Sequence, residues 1–264
     1  METNKENASE KNPSLAHLKE GVAPIVMCIG TRSDFEKEPG LTDHLGYWGE
    51  NPERVFVNYE DDLHENTSKG IVNAGQETYA ISPISDLDKF SLKYKNCMGV
   101  IAAGQDKITG KNISFLTHQG PVKILPEGEL RNRFLADFKS RLKEIKDRSV
   151  QGTIDAIIFG GNYLDSDKVE KDPDRLPGVP KVEFEKNYKD LMRLLSNQVF
   201  EVFGFQPTII AGPKTTDRDT DNAIYDNDHR RLYLRRPEIG EKSSESFSSE
   251  ELEEREEGWR KEWK

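Results

Sequence analysis

The sequence predicts an α+β fold: a layered mixed β-sheet or β-sandwich with two amphipathic helices packed on it. Three observations predict it. Short apolar, β-branched runs bounded by Gly, Pro, Asn and Asp outnumber helical patterns. Two longer segments, 129–147 and 185–203, repeat apolar residues at helical spacing. Two neighbouring strand-like runs joined by a glycine turn form a hairpin, so the sheet cannot be all parallel.

Taken in order, the first strand is Ala23-Pro24-Ile25-Val26-Met27-Cys28-Ile29, stopped by Gly30. A loop-like stretch follows to about residue 76, with one short strand at Val55-Phe56-Val57. Thr78-Tyr79-Ala80-Ile81 is a short strand, and Met98–Ala103 and Ile113–Thr117 flank Asp106-Lys107-Ile108-Thr109-Gly110-Lys111 as a hairpin. Leu130, Phe134, Leu135, Phe138, Leu142 and Ile145 make one stripe of a helix. Ile154–Phe159 is a buried strand ended by Gly160-Gly161, and a Pro- and Asp-rich loop runs from Asp165 to Pro180. Tyr188, Leu191, Leu195, Val199 and Val202 mark the second helix. The strand Thr208–Ala211 follows, and a closing hairpin pairs Ala223–Tyr225 with Leu232–Leu234.

Residues 1–14 and 240–264 are polar and rich in charge, too poor in apolar area to offset the entropy of ordering. The tail reads either as disordered or as a surface helix carrying Leu252, Trp259 and Trp263. Residues 15–239 are expected to form one domain, with a core at 71–239 and additional elements at 15–70.

Of 264 residues, 34% are hydrophobic and 33% charged, and the net charge is −10. The acidic balance and the lack of a strongly basic stretch argue against a nucleic-acid partner, because phosphate binding needs clustered Lys and Arg. No apolar run approaches the roughly 20 residues that cross a bilayer, so no membrane insertion is expected. The first residues lack the apolar core of a signal peptide, which makes the cytoplasm the expected compartment, with export by a signal-less route as the alternative. Two cysteines and five scattered histidines form no zinc pattern, so no metal is expected. The phosphate-loop and dinucleotide glycine patterns are missing, which removes the usual nucleotide cofactors. Asp217, Asp219, Asp221, Asp226 and Asp228 read as a solvated turn, since the glycine and glutamate of a calcium loop are not in place. Arg230-Arg231 and Arg235-Arg236 read as alternating strand faces, or as a grip for an acidic partner.

The chemistry centres on the hairpin. Its fold-back brings Cys97 and His118 to neighbouring strands at one end, where an imidazole can take a thiol proton. A bulge at Gly110 would shift the pairing and move one side chain to the other face. The same two residues also read as a small buried cysteine and a satisfied strand-end histidine. Phe159-Gly160-Gly161-Asn162 reads as a backbone wall of a site, or as a plain strand-to-loop turn.

In this order the features resemble the bacterial chemoreceptor glutamine deamidase family, which shares its fold with cytotoxic necrotizing factor-type deamidase toxins. The matching residues run from Gly75-Gln76-Glu77-Thr78-Tyr79-Ala80-Ile81-Ser82 through Ser91, Cys97-Met98-Gly99-Val100-Ile101, the His118 strand and Ile158-Phe159-Gly160-Gly161. They continue to Asn187, Ala211-Gly212 and the last hairpin, and cover about residues 72–236. Ser91 lies six residues before Cys97, where the family has threonine, and Lys95-Asn96 stands where the family has Gly-Ser.

The resemblance implies a cysteine-dependent amide hydrolase that deamidates a protein glutamine without a cofactor. Cys97 would be the nucleophile, His118 the base and Ser91 its orienting hydroxyl, with Asn96, Gly160 and Gly161 in the oxyanion environment or site wall. The partner implied is a protein substrate or signalling protein. The alternatives are a catalytically inactive binding or regulatory module on the same fold, and an exported deamidase-type effector.

Overall fold

The computed structural model describes residues 16–30, 54–58, 71–73, 79–94, 97–161, 181–211 and 221–235. Eleven strands and three helices are seen among them. The strands are β1 (Val26–Gly30), β2 (Arg54–Asn58), β3 (Ile71–Asn73), β4 (Tyr79–Ile81), β5 (Asp88–Tyr94), β6 (Met98–Gln105), β7 (Asn112–Gln119), β8 (Asp155–Gly160), β9 (Thr208–Ala211), β10 (Asp221–Asp226) and β11 (Arg231–Arg235). The helices are the one-turn α1 (Pro121–Ile124), α2 (Glu129–Arg148) and α3 (Lys181–Phe203).

The strands form two mixed sheets, ordered β1-β11-β10-β5-β2-β3 and β4-β7-β6-β8-β9. The expected α+β architecture is therefore present, in its two-sheet form. Side-chain alternation assembles it into three layers. On β6, β7 and β8, Met98, Val100, Ala102, Phe115, Ala156 and Ile158 pack against Phe134, Phe138, Leu142 and Ile145 of α2 and Leu191, Leu195 and Val199 of α3. Cys97, Ile101, Ala103, Leu116, Ile157 and Phe159 point the other way, onto Val55, Val57, Ala223, Tyr225, Leu232 and Leu234 of the first sheet. Burial on both faces explains why these strands read as continuous apolar runs. Each fully buried Phe, Leu or Ile contributes about 1.5–3 kcal/mol.

The hairpin is in one register from end to end, from Met98↔Gln119 to Gln105↔Asn112. Its turn is closed by Asp106, whose Oδ1 accepts from the N–H groups of Ile108 and Thr109, and Gly110 takes the left-handed conformation at φ 72°. No bulge intervenes.

The described parts of 15–70 are not appendages. β1 pairs with β11 in parallel, and β2 pairs with β5, so both are built into the first sheet. The stretch expected as loop to residue 76 contains β3 as well as β2. β5 and α1 lie outside the expected elements, and the described ends of the others differ from expectation by a few residues at most. The 165–180 loop, residues 1–14 and the tail at 240–264 lie outside the described residues.

Candidate functional site

The β6–β7 pairing places Cys97, immediately before β6, and His118, near the end of β7, on one face of the sheet. Cross-strand partners share a face, and the constant register gives Cys97, Ile101, Leu116 and His118 the same parity. That face is the one turned toward the first sheet. Cys97 retains 7% exposure and His118 1%, so both sit within the sandwich.

From the opposite sheet, β5 delivers Ser91, which is fully buried. Ser91 Oγ lies 2.9 Å from His118 Nδ1. The Ser91 hydroxyl also donates to the main-chain carbonyl of Val57 on β2. A serine has one hydrogen to give. With that hydrogen on Val57, Ser91 Oγ accepts at His118, so Nδ1 carries the proton and Nε2 is the basic nitrogen. Two strands of one sheet thus fix the tautomer of a histidine on the other.

Burial holds the His118 imidazole down to about 3, so the ring is neutral at physiological pH. Tyr94, at the end of β5, stacks on it with ring centroids 4.1 Å apart and planes 22° apart. The Tyr94 hydroxyl donates to the Thr117 carbonyl at 3.0 Å. Burial pushes that hydroxyl well above its ordinary value; the Ser91 hydroxyl acts downward and nearby Cys97 acts upward. Phe159 meets Tyr94 edge-on at 4.9 Å, over Gly99, where an added Cβ would come within 2.5 Å of the Phe159 ring.

Gly160 adopts φ 84°, and an added Cβ there would lie 3.0 Å from the Cys97 carbonyl and 3.1 Å from Tyr94 Cβ. The first glycine of the Phe-Gly-Gly end therefore packs closely against the main chain of Cys97 and the side chain of Tyr94. Gly161, at φ 75°, faces Tyr188 and Met98 on the helix side instead, and accommodates the Tyr188 ring. Asn96 lies outside the described residues. Of the expected site residues, Cys97, His118, Ser91 and Gly160 are brought together at one end of the sandwich.

Elsewhere the expectations divide. Asp221 is fully buried at the start of β10 rather than solvated, while Asp226 caps its turn by accepting from the His229 N–H and ring. Arg230 is not a strand residue: it is buried in the left-handed conformation at φ 54°, with Nη2 donating to Thr153 O. Among the described residues no group of three His, Cys, Asp or Glu side chains is placed to hold a metal, and no helix is long and apolar enough to cross a membrane.

Sequence reasoning missed Tyr94 and the Val57 carbonyl. Tyr94 has the same parity as Phe90, on the outer face of β5, and only a bulge reverses it. The Val57 contribution is main chain and leaves no side-chain signal. Compared with known proteins, the chain matches no family model and no curated protein.

Proposed function

We propose that the chain is a cysteine-dependent amide hydrolase, a protein-glutamine deamidase working through Cys97, His118 and Ser91. One observation carries it: the buried Ser91–His118 contact, which leaves Nε2 as the basic nitrogen on the face that Cys97 shares. The resemblance of the ordered motifs to chemoreceptor glutamine deamidases supports the same choice of substrate.

In this mechanism His118 Nε2 takes the Cys97 thiol proton as sulfur bonds to the carboxamide carbon. Main-chain N–H groups at the cysteine hold the oxyanion, each worth about 3–4 kcal/mol. The C–N bond then breaks, and the imidazolium proton goes to the departing nitrogen, which leaves as ammonia. Water attacks the thioester while His118 accepts its proton, glutamate is released, and the thiol regains its hydrogen. Ser91 orients the ring throughout. Every bond made and broken is accounted for by the chain, the carboxamide and one water, so the chemistry calls for no cofactor.

Burial also shapes the energetics. A lone imidazolium is disfavoured in this dry site, whereas charge formed together with a thiolate is offset by their mutual attraction. Proton transfer is therefore expected to accompany attack rather than precede it as a standing ion pair.

A second reading is a binding module with an inert site, favoured by the near-complete burial of both Cys97 and His118. The test is incubation with the signalling domain of a bacterial chemoreceptor, following ammonia release and a one-dalton mass gain at glutamine. The hydrolase reading requires both signals and their loss in Cys97→Ala. Release that persists in Cys97→Ala removes the mechanism, and its absence across receptor domains favours the binding module.

A further inference from the structure

β5 carries an irregularity at the site. Ala223 of β10 pairs with Ser91, yet Asp221, two residues away, pairs with Tyr94, three residues away. One extra residue of β5 is thus accommodated between Ser91 and Tyr94, which is a β-bulge. Without it, strand alternation would put Tyr94 on the outer face with Phe90. With it, Ser91 and Tyr94 point to the same side, the side of Ala223 and the facing sheet. Bulges re-aim side chains beside functional sites, and this one aims an aromatic ring at a histidine.

The geometry points to Tyr94 as the positioning residue of this site: its ring clamps the His118 imidazole in the orientation that keeps Nδ1 on Ser91 and leaves Nε2 to take a proton. The inference rests on the reading of His118 as the base. Four contacts hold the clamp. The ring lies 4.1 Å from the imidazole, near-parallel. Its hydroxyl is tied to Thr117 O, the residue next to His118, so ring and backbone are fixed together. Phe159 supports Tyr94 edge-on. Gly160, lacking a Cβ, lets Tyr94 and the Cys97 carbonyl close on the same point.

The clamp has a direct chemical effect: it covers one face of the imidazole, which excludes water and favours the neutral ring before reaction. Around His118 the packed elements bring Ser91 and Tyr94 from β5, Val57 from β2, Ala80 from β4, Phe159 from β8 and Cys97 before β6. Tyr94 and Cys97 are the ionisable ones of these.

The test is nuclear magnetic resonance of the full chain labelled with ¹⁵N-histidine. In the unsubstituted protein, ring-to-ring Overhauser contacts between Tyr94 and His118 are expected, together with a single Nδ1–H tautomer. Tyr94→Phe keeps the stack and should keep the tautomer. Tyr94→Leu should mix the tautomers and raise the His118 titration by at least about one pH unit toward its ordinary value. A folded Tyr94→Leu protein with an unchanged tautomer and titration overturns the inference. If that variant does not fold, missing Tyr94–His118 contacts in the unsubstituted chain overturn it instead. Neither readout depends on deamidation. Loss of the hydrolase reading with these signals intact would leave the clamp standing, and the reverse outcome would remove the clamp alone.

Discussion

Ser91 on one sheet and His118 on the other are joined by a 2.9 Å contact between Oγ and Nδ1 in the closed interior of a two-sheet sandwich. Because Ser91 spends its only hydrogen on the Val57 carbonyl, the contact also sets which imidazole nitrogen is basic. Removing the hydroxyl takes a donor from the buried Val57 carbonyl and an acceptor from the buried His118 Nδ1. Ser91→Ala is expected to cost about 2 kcal/mol or more in urea unfolding and to abolish the single Nδ1–H tautomer. Ser91→Thr, which keeps the hydroxyl, should retain the tautomer. An alanine variant with an unchanged tautomer would show that the serine does not orient the ring.

Stability should fall with acid through His118. Its folded-state value lies near 3, below the ordinary 6.5, because burial opposes the charged ring. The unfolded chain therefore binds the extra proton between those values, and folding stability declines as pH falls through that window. Between those two values the slope approaches about 1.4 kcal/mol per pH unit. Urea melts of the wild type and His118→Gln should differ in this slope. Parallel curves would place the titration elsewhere.

Gly160→Ala is expected to destabilise by about 1–2 kcal/mol, since a left-handed backbone disfavours a Cβ. The new methyl would also press on the Cys97 carbonyl and on Tyr94. The same substitution should therefore change the rate at which Cys97 is alkylated, while Cys28, on the edge strand β1, reports no change. Equal rates at Cys97 before and after substitution would separate the glycine from the site.

Much of this arrangement is legible in residues alone. β-branched runs either side of Thr109-Gly110 announce the hairpin, and with its register come a cysteine and a histidine on one face. The stripe Phe134, Phe138, Leu142 and Ile145 announces α2. The missed strand β5 has a physical reason: its inward face carries Lys89 and Ser91, so polar residues lie where a sandwich strand normally shows apolar ones. The bulge then reverses parity before Tyr94, which no pattern of period two can reveal. Which strands join which sheet is hidden for another reason. β1 pairs with β11 and β5 with β10, contacts set by long-range packing rather than by neighbouring residues.

The most direct test of the Cys97–His118 site is the rate of Cys97 carboxamidomethylation against pH, read peptide by peptide by mass spectrometry, with Cys28 as the internal reference. An ordinary thiol slows about tenfold per pH unit below about 8.5, because only the thiolate reacts. A thiol served by a neutral imidazole should instead vary by less than about threefold between about pH 5 and 7, and should return to the ordinary slope in His118→Gln. That plateau, and its loss with His118, is the predicted result. A tenfold fall per unit at Cys97 in both proteins would contradict it.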